Sequence, residues 1–158
     1  MGREILIVWA GRRQQGTWQR LCDDYRKRAG RWAEIRELPV KVKSASDDAS
    51  RLAAEGAALL AALPDPCWIV TLDSRGKART STELASWLER RIEEWPHPIA
   101  FLVGSDLGLA PQVRAAAREI LSFGPATLPH QLAKLVLYEQ LYRALSIGAG
   151  IKYHRGPL

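Results

Sequence analysis

The stretch from Leu121 to Gln131 (LSFGPATLPHQ) constrains this 158-residue chain more than any other. It starts as the end of an apolar strand, breaks at Gly124-Pro125, breaks again at Pro129, and enters a helical pattern that ends near Gly148. Glycine permits backbone conformations that other residues resist, and proline fixes φ and removes a donor. Two such breaks this close together specify a shaped loop rather than a plain connection. A loop of that kind, between a strand end and a helix start, offers backbone N–H and C=O groups to a small ligand.

Upstream, apolar runs alternate with amphipathic ones. Glu4–Trp9, Cys67–Leu72 and Ile99–Val103 are near-continuous apolar segments, the pattern of strands covered on both faces. Ala33–Leu38 alternates in the manner of a strand, and Ile120–Phe123 is a further short one. Thr17–Ala29 reads as a helix with Trp18, Leu21, Cys22 and Tyr25 on one stripe. Asp48–Leu63, rich in alanine and capped by Ser46 or Asp47, is a second helix, stopped by Pro64-Asp65-Pro66. Thr82–Trp95 and Pro111–Arg118 complete the set, while Pro39–Ser46 and Asp73–Gly76 read as loops. The alternation predicts an α/β fold, one domain over residues 1–158, with a mostly parallel sheet flanked by helices. Ligands in such sheets gather beyond the strand C-terminal ends, so the turns after Leu72, Val103 and Phe123 form the candidate site.

The last helix, Gln131–Ile147, is apolar on most sides, with Leu132, Leu135, Val136, Leu137, Tyr138, Leu141, Tyr142, Ala144 and Leu145 nearly encircling it. Such a helix must be buried on most sides. The cover is either a second copy of the chain around a two-fold axis or the core of a single subunit. Glu139 and Arg143, spaced i,i+4, can pair across one turn.

Charge supplies the next bound. The 23 Lys+Arg against 17 Asp+Glu give +6, which favours a polyanionic partner such as nucleic acid. Cys22 and Cys67 match no metal-ligand spacing and read as free thiols, and His97, His130 and His154 form no cluster, so no metal is expected. The only apolar run near the start, Ile5–Ala10, is too short for a signal peptide or membrane span, which points to a cytoplasmic protein with no membrane partner.

Single motifs are weak. Gly11 to Gly16 (GRRQQG) imitates a phosphate-binding loop, but Thr17-Trp18 stand where Lys-Ser/Thr should follow, and a dinucleotide fingerprint is absent. Arg12 and Arg13 are candidate phosphate contacts or solvated surface charge. Gly104–Gly108 (GSDLG) allows close approach of a ligand to backbone, yet two glycines at a strand end often only make a turn. Asp73 after its strand is a loop cap or a ligand contact. Lys152, Tyr153, His154 and Arg155 combine cations, a ring and an imidazole, suited to phosphates and bases or simply a frayed basic end.

Taken in order, the segments do resemble a known family. Thr127-Leu128-Pro129-His130-Gln131, then Glu139 to Ala144 (EQLYRA), then Tyr153-His154-Arg155, with Val70–Asp73 (VTLD), Gly76-Lys77 and Phe101–Leu109 upstream, resemble the RlmH family of SPOUT methyltransferases. The resemblance implies a SPOUT-type α/β knot, a deep C-terminal trefoil built around 99–104 and 119–130. It implies a homodimer that uses S-adenosylmethionine to methylate N3 of pseudouridine 1915 in 23S ribosomal RNA on the assembled ribosome. The matching cofactor positions are Leu72, Gly104, Phe123, Gly124, Pro125, Ala126, Thr127 and Leu128. One departure is Ser105, where the family usually carries a second glycine; another is the terminal Gly156-Pro157-Leu158.

Methyl transfer from a sulfonium needs in-line alignment, so positioning supplies much of the rate. The N3 proton needs an acceptor, for which His154 is the first candidate. Arg143 would stabilise charge developing on the neighbouring carbonyl oxygens. Lys152, Tyr153, Arg155, Arg12 and Arg13 would contact RNA. His130 reads as structural. The rival expectations are a basic ribosome- or RNA-binding module without catalysis, and a nucleotide-dependent enzyme built on Gly11–Gly16.

Overall fold

The computed structural model describes residues 4–11, 16–43 and 45–153. In chain order these form β1 (Glu4–Ala10), α1 (Thr17–Ala29), β2 (Glu34–Val40), α2 (Asp48–Ala61), β3 (Trp68–Ala78), α3 (Ser81–Glu94), β4 (Ile99–Val103), α4 (Pro111–Ala116), β5 (Glu119–Ser122) and α5 (His130–Gly148). One five-stranded sheet results, ordered β2-β1-β4-β3-β5, and every pairing in it is parallel.

Parallel crossovers share one hand, so the direction of each step across the sheet decides the face its helix covers. The steps β1 to β2 and β3 to β4 run one way and put α1 and α3 on one face. The steps β2 to β3 and β4 to β5 run the other way and put α2 and α4 opposite. Alternate residues of the central strands serve the two layers: Ile5, Ile7, Ile99 and Phe101 pack with α1, α3 and α5. Leu6, Val8, Ala100 and Leu102 pack with Leu59 of α2 and Val113 of α4. Each fully buried side chain of this size contributes roughly 1.5–3 kcal/mol. The helix starts follow local chemistry. Asp47 caps α2 by accepting from the Ser50 N–H at 2.7 Å, and Thr80 with Glu83 forms a capping box on α3.

Three expectations change. β2 runs through Pro39 to Val40, because it is an edge strand where a missing N–H costs no ladder bond. β3 does not stop at Leu72. It bulges out over Asp73–Gly76 and re-pairs with β5, where Leu72 and Lys77 both face Leu121. At Gly76 the strands close so tightly that a Cβ would lie 2.5 Å from the Ile120 carbonyl oxygen. The α1 stripe also splits: Cys22 is buried, while Trp18 and Leu21 stand 40% and 43% exposed.

Helix α5 is covered in part by the sheet beneath and by α1 and α3 on its flanks, while Leu132, Leu135 and Val136 of its girdle stay half-buried. It also carries a cation into the interior. Lys134, 5% exposed, places Nζ 3.4 Å from Glu37 Oε1, 3.2 Å from Gln19 Oε1 and 4.0 Å from the centre of the Trp9 ring. Tyr138 donates its hydroxyl proton to the same Glu37 oxygen at 2.8 Å. Both cysteines are free thiols, and burial pushes each up to about 11. Among the described residues no helix is long and apolar enough to cross a membrane.

Candidate active site

The β3 bulge at Asp73–Gly76 and the loops that follow β4 and β5 meet on one side of the sheet. The β4 loop leaves through Gly104, where a Cβ would lie 2.6 Å from the Gly108 carbonyl carbon and oxygen, so only glycine fits without backbone movement. The left-handed turn of this loop falls on Gly108 (φ +78), whose N–H donates to the Ser105 carbonyl at 2.9 Å. The β5 loop turns at Gly124 (φ +115). Buried Ser122 fastens that turn: its Oγ accepts from the Gly124 N–H at 3.0 Å and lies 3.1 Å from the carbonyls of Ser74 and Gly124. One hydroxyl thus joins the β5 loop to the β3 bulge.

The bulge is held by its own charges. Asp73 accepts from Arg75 at the backbone N–H (2.9 Å), Nε (3.0 Å) and Nη2 (2.8 Å), and Arg114 Nη1 approaches at 3.4 Å. Burial alone would raise the Asp73 carboxyl, but the Arg75 hydrogen bonds outweigh it and hold the group below the ordinary carboxylate range.

Between these loops runs a cleft of two joined compartments, about 660 Å³ along the β4 loop and about 300 Å³ between the bulge and the β5 loop. Leu72, Gly108, Thr127, Leu128 and Ala133 border both. The size suits a cofactor-scale ligand. Of the residues singled out in the sequence, Leu72, Gly104, Phe123, Gly124, Ala126, Thr127 and Leu128 line it. Pro125 is exposed in the same loop and only shapes it. Sequence reasoning undervalued Asp73 and Arg75, because the bulge that turns them toward the cleft has no signature beyond a polar run after an apolar strand. Among the described residues no group of three or more His, Cys, Asp or Glu could hold a metal ion.

The other candidates collect elsewhere. Arg143 lies about 20 Å further along α5 than His130, by the 1.5 Å rise per residue. Its Nε donates to Glu139 at 2.9 Å, and its guanidinium lies 4.9 Å from the centre of the Tyr153 ring. Tyr153 meets Tyr142 edge-on at 4.7 Å and donates to Glu139 at 3.4 Å. The Arg28 guanidinium lies 4.3 Å from the centre of the Tyr142 ring. Burial, then the neighbouring Tyr25 hydroxyl, pushes the Tyr153 phenol up to about 12. Lys152 is exposed beside it. Arg12, Arg13, His154 and Arg155 lie outside the described residues, as does Gly156 to Leu158. Within one chain, then, the cleft and the tail cluster stay apart.

A parallel sheet of this order, with a glycine-shaped cleft at its strand ends, places the chain in a defined class. It belongs to the SPOUT methyltransferase family, whose model, described as "Predicted SPOUT methyltransferase", matches residues 3–154. The resemblance to the narrower family read from the sequence is borne out as well. The chain is 40% identical over 152 residues to the ribosomal RNA large subunit methyltransferase H of Gloeobacter violaceus, covering 96% of this chain and 99% of that one. With its namesake from Hyphomonas neptunium it shares 42% over 153 residues, covering 96% and 98%. Solved structures show the same fold at low identity. A probable methyltransferase from Bordetella pertussis has a TM-score of 0.54 at 16% identity, covering 91% of this chain and 96% of that one. A probable methylase family protein from Haemophilus influenzae has 0.52 at 13%, covering 99% and 72%.

Proposed function

We propose that this chain is a cytoplasmic, S-adenosylmethionine-dependent methyltransferase of large-subunit ribosomal RNA, acting on N3 of pseudouridine 1915 in the assembled ribosome. The observation that carries the reading is the backbone-walled cleft between the β3 bulge and the ends of β4 and β5, in a chain that matches the methyltransferase H relatives over nearly its whole length.

The cleft fits the cofactor. At Gly104 the missing Cβ lets main chain approach main chain, and the Gly124 turn lies in a wall shared with Leu72, Phe123 and Leu128. Those apolar side chains would hold a purine by exclusion of water, while N–H and C=O groups of the β5 loop would meet its polar edges. When bound, the cofactor supplies a methyl group already activated on a sulfonium. What remains for the protein is alignment, dry surroundings and removal of the N3 proton.

Arg143 and His154 would serve the base, Arg143 by stabilising charge on the carbonyl oxygens beside N3 and His154 by receiving the proton or gripping the ring. Lys152, Arg155, Arg12 and Arg13 would take phosphates. Because Arg143 sits about 20 Å from the cleft along its own helix, one subunit's tail would complete its partner's site. A homodimer of this kind is supported by the exposed apolar side chains Trp18, Leu21 and Ile151. We also infer the trefoil knot, supported by the return of α5 from edge strand β5 to a seat between α1 and α3.

The test is transfer of labelled methyl from S-adenosylmethionine to intact ribosomes, separated subunits and free RNA, with the modified nucleoside identified. Methylpseudouridine formed on intact ribosomes is the expected product. Tight ribosome binding without any transfer would replace this reading with that of a non-catalytic RNA-binding module.

A further inference from the structure

The β4 loop forms one wall of the cleft, yet β4 holds only its first residue. Beyond Gly104 the loop is fastened to helix α2 on the opposite face of the sheet. Ser105 donates its hydroxyl proton to Glu55 Oε2 at 2.7 Å, and the same Oγ accepts from the Leu107 N–H at 3.2 Å. Glu55 is 7% exposed and lies one helical turn from Arg51, whose Nε is 3.7 Å from Glu55 Oε1. Arg51 Nη2 in turn donates to both carboxylate oxygens of Asp106, each at 2.9 Å. The Arg51 hydrogen bond holds the Asp106 carboxyl below the ordinary range. Close packing sets the spacing: a Cβ on Gly56 would lie 2.8 Å from the Ala110 Cβ, so α2 presses against the chain as it leaves the loop.

We propose that Glu55, Ser105, Arg51 and Asp106 form a latch that positions the Gly104–Gly108 wall of the cleft, with the Ser105–Glu55 hydrogen bond as its principal element. The inference rests on the reading of this cleft as the cofactor site. Ser105, Asp106 and Leu107 border the larger compartment, whereas Arg51 and Glu55 do not, so the α2 residues act through the loop. The geometry divides the labour. A buried carboxylate is costly unless hydrogen-bonded, and a hydroxyl donated to it makes a short, charge-assisted bond. Glu55 and Ser105 therefore need each other, while the exposed Arg51–Asp106 pair contributes less. With glycine at 105, the loop would lose its fastening to α2 and gain backbone freedom at the same residue. Serine here exchanges that freedom for a fixed wall.

The test compares wild type with Ser105→Ala in the full chain. In protein without ligand, amide exchange at Leu107 and Gly108 should quicken about tenfold, as loss of one charge-assisted bond predicts, with β4 amides unchanged. Calorimetry should show S-adenosylmethionine binding weakened about tenfold, with the melting temperature held. Ser105→Thr, which keeps the hydroxyl, should restore both. Unchanged loop exchange, or unaltered cofactor affinity in Ser105→Ala, overturns the latch. So does a parallel fall in affinity and melting temperature, which would mean general destabilisation. Failure of the wild type to bind S-adenosylmethionine overturns the cofactor reading instead. It is told apart because loop exchange in ligand-free Ser105→Ala would still respond.

Discussion

At its N-terminal end α5 meets a cleft walled by main chain, while about 20 Å further on the same helix carries rings and ions. The cleft owes its form to Gly104, Gly108, Gly124 and the Ser122 hydroxyl, groups with almost no rotamer freedom. The tail cluster of Tyr142, Tyr153, Arg28, Arg143 and Glu139 is held by long side chains, each of which can let go alone. A backbone site is preformed for a ligand of one shape. A side-chain site can rearrange around a large polyanion. The difference matches the two tasks proposed for them, a small cofactor at one end and ribosomal RNA at the other.

Substitutions can separate the two ends. The largest effect is expected at Lys134, buried against Glu37, Gln19 and Trp9 on the helix that carries both ends. Lys134→Met leaves Glu37 buried without its cation and should cost about 3–5 kcal/mol in denaturant unfolding. Both ends should loosen together; a smaller loss confined to one end would mean they do not share this frame. Gly104→Ala comes next. Its Cβ must displace the Gly108 backbone, at about 1–3 kcal/mol. Cofactor affinity should fall in calorimetry while the Tyr142–Tyr153 ring contact, followed by NMR, persists.

Glu139→Gln works at the other end. It releases Arg143 and Tyr153, with at most about 1 kcal/mol lost because the pair is partly solvated. Turnover on ribosomes should change while cofactor affinity holds. Equal change in both would dissolve the distinction between the ends.

The smallest effect is one of pH. The Tyr153 phenol is raised in the folded protein to about 12, so its docking is fully present below the ordinary tyrosine value of about 10 and is lost as pH rises through about 12. Phenolate absorbance compared between wild type and Tyr153→Phe should show one tyrosine titrating late. Titration near the ordinary value would mean the tail is undocked.

The strand–helix alternation, the apolar core strands and the loop after β5, broken at Gly124-Pro125 and again at Pro129, follow from local residue choice. Periodicity and punctuation act over a few residues, and so they can be read without knowing what lies opposite. The turns after Leu72, Val103 and Phe123 that border the cleft were legible for that reason, while the individual cofactor positions proposed there came from the family resemblance. The bulge at Asp73–Gly76, the strand position of Pro39, the interior seat of Lys134 and the Glu55–Ser105 bond were not. Each depends on which element lies across from it: β5 re-pairing with β3, an open sheet edge, Glu37 on β2, and α2 crossing the opposite face. The girdle of α5 makes the same point, since sequence demanded cover on most sides and only tertiary packing showed which of them α1 and α3 cover. Pairings between segments far apart in the chain, unlike turns and periodicities, leave no mark on either segment alone.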